Sequence, residues 1–238
     1  MKISIVMAYY NRKGLLYNTL KSIVKTSCFS EYEVIIVDDD SREEEQIDSD
    51  MHKEFPFMKV IRIDKVDKSI VNSCIPYNVG FRYCQGDIII IQNPECEHIG
   101  DILSYVEKNL TEKNYLSFAC YAPDYPADQH WYNHPKHRPV YYHFCSAITK
   151  TNLQKLGGFD ERYAQGYAYE DDEFLERINR LGLQKEIPTK PYVIHHKHSK
   201  DYGITKTERN IKLRRNKALF EVCTKNETSI NKQPFYVE

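Results

Sequence analysis

Two acidic runs, one lone carboxylate and a histidine cluster carry the side chains in this sequence best suited to chemistry. Asp38-Asp39-Asp40 closes the apolar run EVIIV. Adjacent carboxylates repel one another, and such a run persists more easily when donors satisfy part of it. The imide N–H of a uracil ring or a ribose hydroxyl would be a suitable donor; a helix cap or a solvated turn is the plainer alternative. Glu170-Asp171-Asp172-Glu173 opens a helical pattern, where the macrodipole favours negative charge. Four acids exceed what capping needs, and one of them could act as general base towards a hydroxyl while a neighbour accepts a hydrogen bond from the same molecule. His195, His196 and His198 follow the strand-like YVI, and strand alternation puts His196 and His198 on one face and His195 on the other. Imidazoles suit manganese-like or zinc-like ions, although an exposed cluster can also be plain surface. Glu95 stands in GDIIIIQNPECEH, just beyond a buried strand. It is either a ligand to a divalent cation that stabilises a departing pyrophosphate or an acid at the start of the helix that follows, with Pro94 fixing the turn.

The elements that must position these groups follow from hydrophobic period. Residues 2–9 (KISIVMAY) and 33–37 (EVIIV) are apolar runs of strand length, the mark of strands covered on both faces. Between them Leu16, Leu20 and Ile23 recur at helical spacing, which makes a βαβ unit with a right-handed crossover. A strand at 60–63, a helix over 78–84 and a strand at 87–91 repeat the alternation, so ligands are expected at the carboxyl ends of parallel strands. Further on, the pattern gives a helix over 99–110, strands at 115–121 and 141–148, and a long irregular loop PDYPADQHWYNHPKHRP between those strands. A helix follows from Glu170, with Phe174, Leu175, Ile178 and Leu181 along one side and Gly182 where a C-terminal cap belongs. A basic helix over 205–222 and a polar tail from Thr224 end the chain.

Bulk composition narrows the function classes. The 238 residues carry 33 basic and 34 acidic side chains, a net charge of -1 that offers no global field for nucleic acid or an anionic membrane. No apolar run reaches the roughly 20 residues of a membrane span, and Met1-Lys2 leads into a strand without a signal-peptide pattern, so the chain reads as soluble and cytoplasmic. Seven scattered cysteines, none in a CxxC pair, argue against a zinc ribbon or a disulfide scaffold. Nineteen tyrosines exceed the needs of a core and suggest an aromatic binding surface.

Taken in order, SIVMAYYNRKGLLYNTLKSI, EVIIVDDDS, NVGF, GDIIII, GGFDERY and YEDDEFLERINRLG resemble the GT-A glycosyltransferases of family two and the related animal β-galactosyltransferases. The resemblance covers about 2–198. It implies an α/β, Rossmann-like GT-A fold with a mostly parallel central sheet flanked by helices. It also implies one domain over 1–223, in which 1–98 bind nucleotide and 99–223 bind acceptor and carry catalysis, followed by a tail at 224–238. The activity implied is inverting transfer from a UDP-sugar to a hydroxyl of a carbohydrate or glycosylated acceptor, with manganese or magnesium as cofactor. Carried over by position, Ala8, Tyr9, Tyr10, Arg12, Asp39, Asn78 and Asn93 would bind the nucleotide, Asp171 would be the base and Glu170 its acceptor-binding partner. Glu95 with His198 or His196 would hold the metal, and Trp131, Tyr132 and Asp172 would face the acceptor. The family's Asp-x-Asp is here Asn93-Pro94-Glu95, which lowers the charge available to a metal, and Pro76-Tyr77 stand where relatives often carry a basic residue. Arg12, Arg162, Lys197 and Lys200 are candidates to compensate. Two rivals share parts of this pattern: a sugar-nucleotide nucleotidyltransferase, for which AYYNRKG is a poor phosphate loop, and a nucleotide-sugar binding module without turnover.

Overall fold

The computed structural model describes residues 2–29, 31–64, 70–127, 130–199 and 203–226; Lys200 and residues 227–238 of the expected tail lie outside it. Strand β1 (Ile3–Tyr9) is buried along almost its whole length, as its unbroken apolar run requires. Helix α1 (Lys13–Thr26) buries Leu16, Leu20 and Ile23, and β2 (Tyr32–Asp38) returns parallel to β1. Helix α2 (Ser49–Glu54) is capped by the Asp48 side chain and leads to β3 (Met58–Arg62), parallel to β2. Helix α3 (Cys74–Arg82) and β4 (Ile88–Gln92) complete the repeated unit, with β4 parallel to β1.

The later elements are β5 (Cys96–Ile99), α4 (Ile102–Asn109), β6 (Asn114–Ser117), β7 (Cys120–Tyr121), β8 (Trp131–Asn133), β9 (Cys145–Thr149) and α5 (Lys150–Leu156). After them come α6 (Glu170–Arg180), β10 (Gln184–Glu186), β11 (Tyr192–His195) and α7 (Lys206–Asn226). Among the described residues the main sheet runs β10-β6-β9-β4-β1-β2-β3, and β9 alone is antiparallel to its neighbours. The expected mostly parallel sheet is therefore present. Alternation splits its core in two: Ile3, Ile5, Met7 and Tyr9 pack on one face, and Val6 with Ile35, Val37 and Ile91 on the other.

A second sheet, β5-β11-β7-β8, was not expected. The single strand read at 115–121 divides between the two sheets, because a continuous apolar run gives no sign of where a chain changes sheet. The long loop contains β8, where the buried Asn133 amide donates to the carbonyls of Ser117 and Phe118. Three residues are too few to show a period. Helix α3 starts four residues earlier than expected, at Cys74, with Pro76 in its first turn, where the missing N–H leaves no hydrogen bond broken. The expected helix at 99–110 starts at Ile102 because 96–99 form β5, and the strand expected from Tyr141 starts at Cys145. Gly182 has φ +79°, in agreement with its expected place beyond the end of α6. No helix among the described residues is long and apolar enough to cross a membrane.

Candidate active site

The carboxyl ends of β1, β2, β4 and β11 and the first turn of α6 meet around one cavity of about 580 Å³. Its wall includes Ala8, Tyr9, Tyr10, Arg12, Asp39, Asn93, Glu95, Glu170, Asp171, His195 and His198. Groups as far apart in the chain as Ala8 and His198 thus share a single cleft at one rim of the sheet, as the βαβ pattern demands.

Two of the three acids at the end of β2 pair with Arg62. Arg62 donates to Asp38 at 2.9 Å and to Asp40 at 3.2 Å, and Asp38 also accepts from the Ser41 N–H. Asp39 is the buried member that faces the cavity. Asn11 ties the loops after β1 and β2 together, taking Ser41 Oγ on its N–H and the Arg42 N–H on its side chain. Tyr9 borders the cavity, but its ring is fully buried in the core and its hydroxyl donates to the Glu45 carbonyl.

Glu95 is 1% exposed and held from both sides. Arg12 Nη1 lies 2.8 Å from Oε2, while His195 Nε2 and His198 Nε2 each lie 3.3 Å from Oε1. Burial alone would raise its carboxyl, but hydrogen bonding from His195 and the charges of Arg12, His195 and His198 outweigh it and bring the pKa down to about 2. Glu95 is therefore a carboxylate at neutral pH. Burial pushes the His198 imidazole below its ordinary value, against the attraction of Glu95, and so favours the neutral ring. Ligand atoms of Glu95, His195 and His198 all lie within 4.8 Å of one another, a carboxylate-imidazole set that fits a divalent ion.

The expected pairing of His196 with His198 is incorrect. Strand β11 ends at His195, so alternation stops there; His196 turns away and sits 2.7 Å from Glu97 Oε2. His195, which the alternation argument had set on the opposite face, joins His198 instead.

The four acids of α6 divide their work. Glu170 and Asp171 line the cavity. Asp172 lies outside the lining and accepts the Tyr142 hydroxyl at 2.7 Å. Glu173 is buried against Arg177, which also donates to the carbonyls of Leu156 and Gly158. Glu170 Oε2 accepts from Asn72 Nδ2 at 2.6 Å, and burial together with the neighbouring Asp171 charge raises its pKa to about 7. Asp171 Oδ1 is in ion-pair contact with Nδ1 of the buried His143. Burial disfavours the His143 cation, yet Asp171 and Glu170 more than offset it, and the imidazole titrates above its ordinary value.

The loop that delivers these acids is held from behind. Ala168 (φ +59°) and Tyr169 (φ +71°) take the left-handed conformation just before Glu170. The fully buried amide of Asn216 on α7 donates to the carbonyls of Tyr163 and Ala168. Gly166 makes room for that side chain, since a Cβ there would stand 1.9 Å from Asn216 Oδ1.

Several expected site residues lie elsewhere. Asn78 is buried and bonds Phe159 and Glu161, joining α3 to the segment before α6, and is not part of the wall of the cleft. Trp131 stacks on His137 at 4.2 Å and Tyr132 on His195 at 4.4 Å; neither lines the cleft. Arg162 pairs with Asp160 and Lys197 with Asp124, so among the described cations named for the phosphate site Arg12 is the one at the cavity, where Arg42 joins it; Lys200 lies outside the described residues. Sequence reasoning missed Asn72, His143 and Asn216, and it set His195 on the face opposite His198. His143 sits in the apolar run YYHF, where a histidine reads as core.

Comparison with known proteins agrees with this architecture. Residues 4–173 match Glycosyl transferase family 2. No curated protein matches the chain by sequence at a significant level. Among solved structures, S. aureus TarS 1-349 in complex with UDP-GlcNAc is similar with a TM-score of 0.69 at 15% identity, over 96% of this chain and 68% of that one. A second TarS 1-349 structure gives a TM-score of 0.64 at 16% identity over 82% of this chain, which spans 60% of the length of that relative. The mannosyltransferase PcManGT from Pyrobaculum calidifontis, in complex with GDP-Man and Mn2+, gives a TM-score of 0.64 at 12% identity, over 95% of this chain and 66% of that one. At these identities the likeness is one of fold, here the GT-A fold.

Proposed function

The chain belongs to glycosyl transferase family 2, and from that premise we propose that it moves a sugar from a UDP-sugar to a hydroxyl of a carbohydrate or glycosylated acceptor, inverting the anomeric centre, with Asp171 as general base. The observation that carries the proposal is the convergence of Asp39, Glu95, His198 and Asp171 on one cleft at the carboxyl rim of a mostly parallel sheet. Residues 1–98 would supply the nucleotide-binding half of a single domain and 99–223 the acceptor half. Asp39 accepts the uracil imide, Ala8 and Tyr10 border the base and ribose, and Asn93 borders the diphosphate. Glu170 accepts a hydrogen bond from the acceptor, which Asp171 deprotonates as its oxygen attacks the anomeric carbon. Trp131 and Tyr132 reach the acceptor only beyond the cleft, and Asp172 acts through its grip on Tyr142.

Glu95, His195 and His198 would hold a divalent cation. Their mixed donor set suits manganese better than magnesium, which prefers oxygen ligands. When bound, such an ion stabilises the negative charge that develops on the diphosphate leaving group. Arg12, already beside Glu95, adds positive charge on the same side of the cleft.

Calorimetry tests the donor half. UDP is expected to bind more tightly than GDP, and manganese is expected to strengthen UDP binding in the wild type and have little effect in Glu95→Gln. Equal affinity for the two nucleotides would remove the uridine reading, and an undiminished manganese effect in the variant would remove Glu95 as a ligand.

A further inference from the structure

We propose that His143 is the positioning residue for Asp171, holding one carboxylate oxygen so that the other is presented to the acceptor hydroxyl; this rests on the reading of Asp171 as general base. The geometry has two prongs. Consecutive residues grip consecutive acids: the Tyr142 hydroxyl donates to Asp172 at 2.7 Å, and His143 Nδ1 meets Asp171 Oδ1. They do so at the first turn of α6, whose N-cap residue Tyr169 supplies no side-chain hydrogen bond, so the turn is clamped from outside the helix. His143 itself is rigidly set. It is 7% exposed, with the Tyr77 ring edge-on at 4.9 Å and the Phe159 ring at 5.0 Å. The titratable groups facing it are Asp171 and Glu170 from α6 and Tyr77 from α3.

Packing alone gives no reason for this arrangement. An imidazole in an apolar wedge needs no carboxylate if it is neutral, and a neutral ring at Nδ1 would hold Asp171 less firmly than a cation. In the transfer step the acceptor O–H bond breaks and its proton passes to the free oxygen of Asp171. The acceptor oxygen forms its bond to the anomeric carbon, and the bond from that carbon to the diphosphate breaks with its electron pair. His143 gains and loses no atom. It keeps the base oriented, and its own titration, raised by Asp171 and Glu170, enters the pH dependence of transfer.

Two measurements test this. NMR titration of the His143 imidazole, with neither donor nor acceptor present, is expected to show a pKa above the ordinary histidine value that falls in Asp171→Asn, because burial is then left with less to oppose it. In His143→Asn and His143→Gln, UDP affinity is expected to stay at the wild-type level while kcat drops by about 10- to 100-fold, the scale of a misplaced reacting group, and the pH profile of kcat shifts. A His143 titration indifferent to Asp171→Asn, or wild-type kcat and pH profile in either His143 variant, would overturn the proposal. Full transfer by Asp171→Asn would overturn it by another route, through the base reading itself, so the two failures are told apart.

Discussion

Glu170 and Asp171 are neighbours in sequence, but their surroundings separate them. Asp171 faces the imidazole of His143, whereas Glu170 has the amide of Asn72 and the repulsion of Asp171. With its pKa raised to about 7, Glu170 is neutral below that pH and ionised above it. A carboxylate accepts a hydroxyl hydrogen bond more strongly than a carboxylic acid does. If Glu170 binds the acceptor, kcat/KM should rise as pH passes through about 7, and Glu170→Gln should flatten that limb. An identical limb in the variant would take Glu170 out of acceptor binding. At this scale the acids were legible because charge at a strand end or helix start stands out from an apolar pattern. Their partners were not. His143 and Asn72 approach α6 from distant parts of the chain, and nothing local marks that meeting.

At the scale of elements, α6 is the part whose placement matters most for the site. Arg177 binds Glu173, two residues beyond Asp171, and reaches the carbonyls of Leu156 and Gly158 at the end of α5. Arg177→Met should leave the Glu173 carboxylate buried without its partner and cost about 3–5 kcal/mol of stability. Urea unfolding measures it, and a loss below about 1 kcal/mol would mean that water replaces the guanidinium freely. Strands β1, β2 and β4 were legible because burial on both faces leaves an unbroken apolar run in the sequence. Strands β5, β7 and β8 span two to four residues, too few for a period, and among the described residues β5 joins β7 and β8 only through β11.

The molecule as a whole ties its last helix to its acids. In the sequence, α7 was simply basic. In the fold, the buried Asn216 fastens the carbonyls of Tyr163 and Ala168, which bracket the strained approach to Glu170. Asn216→Ala should leave both carbonyls without that donor, lower stability by about 1–3 kcal/mol and reduce transfer more than UDP binding. Equal loss of both would assign Asn216 to general stability alone. The rim of the sheet where the cleft forms was readable from the βαβ order, since ligands gather where parallel strands end. The contribution of α7 was not, because a buried asparagine on a charged helix has no signature before the chain folds around it.

The most direct measurement is UDP release from a panel of UDP-sugars offered with carbohydrate acceptors, in wild type and in Asp171→Asn. The account predicts acceptor-dependent release by the wild type and a loss of about a hundredfold or more in the variant, with UDP affinity retained. UDP binding with no release from any donor would contradict it and leave a nucleotide-sugar binding module; equal turnover by the two proteins would contradict the role of Asp171.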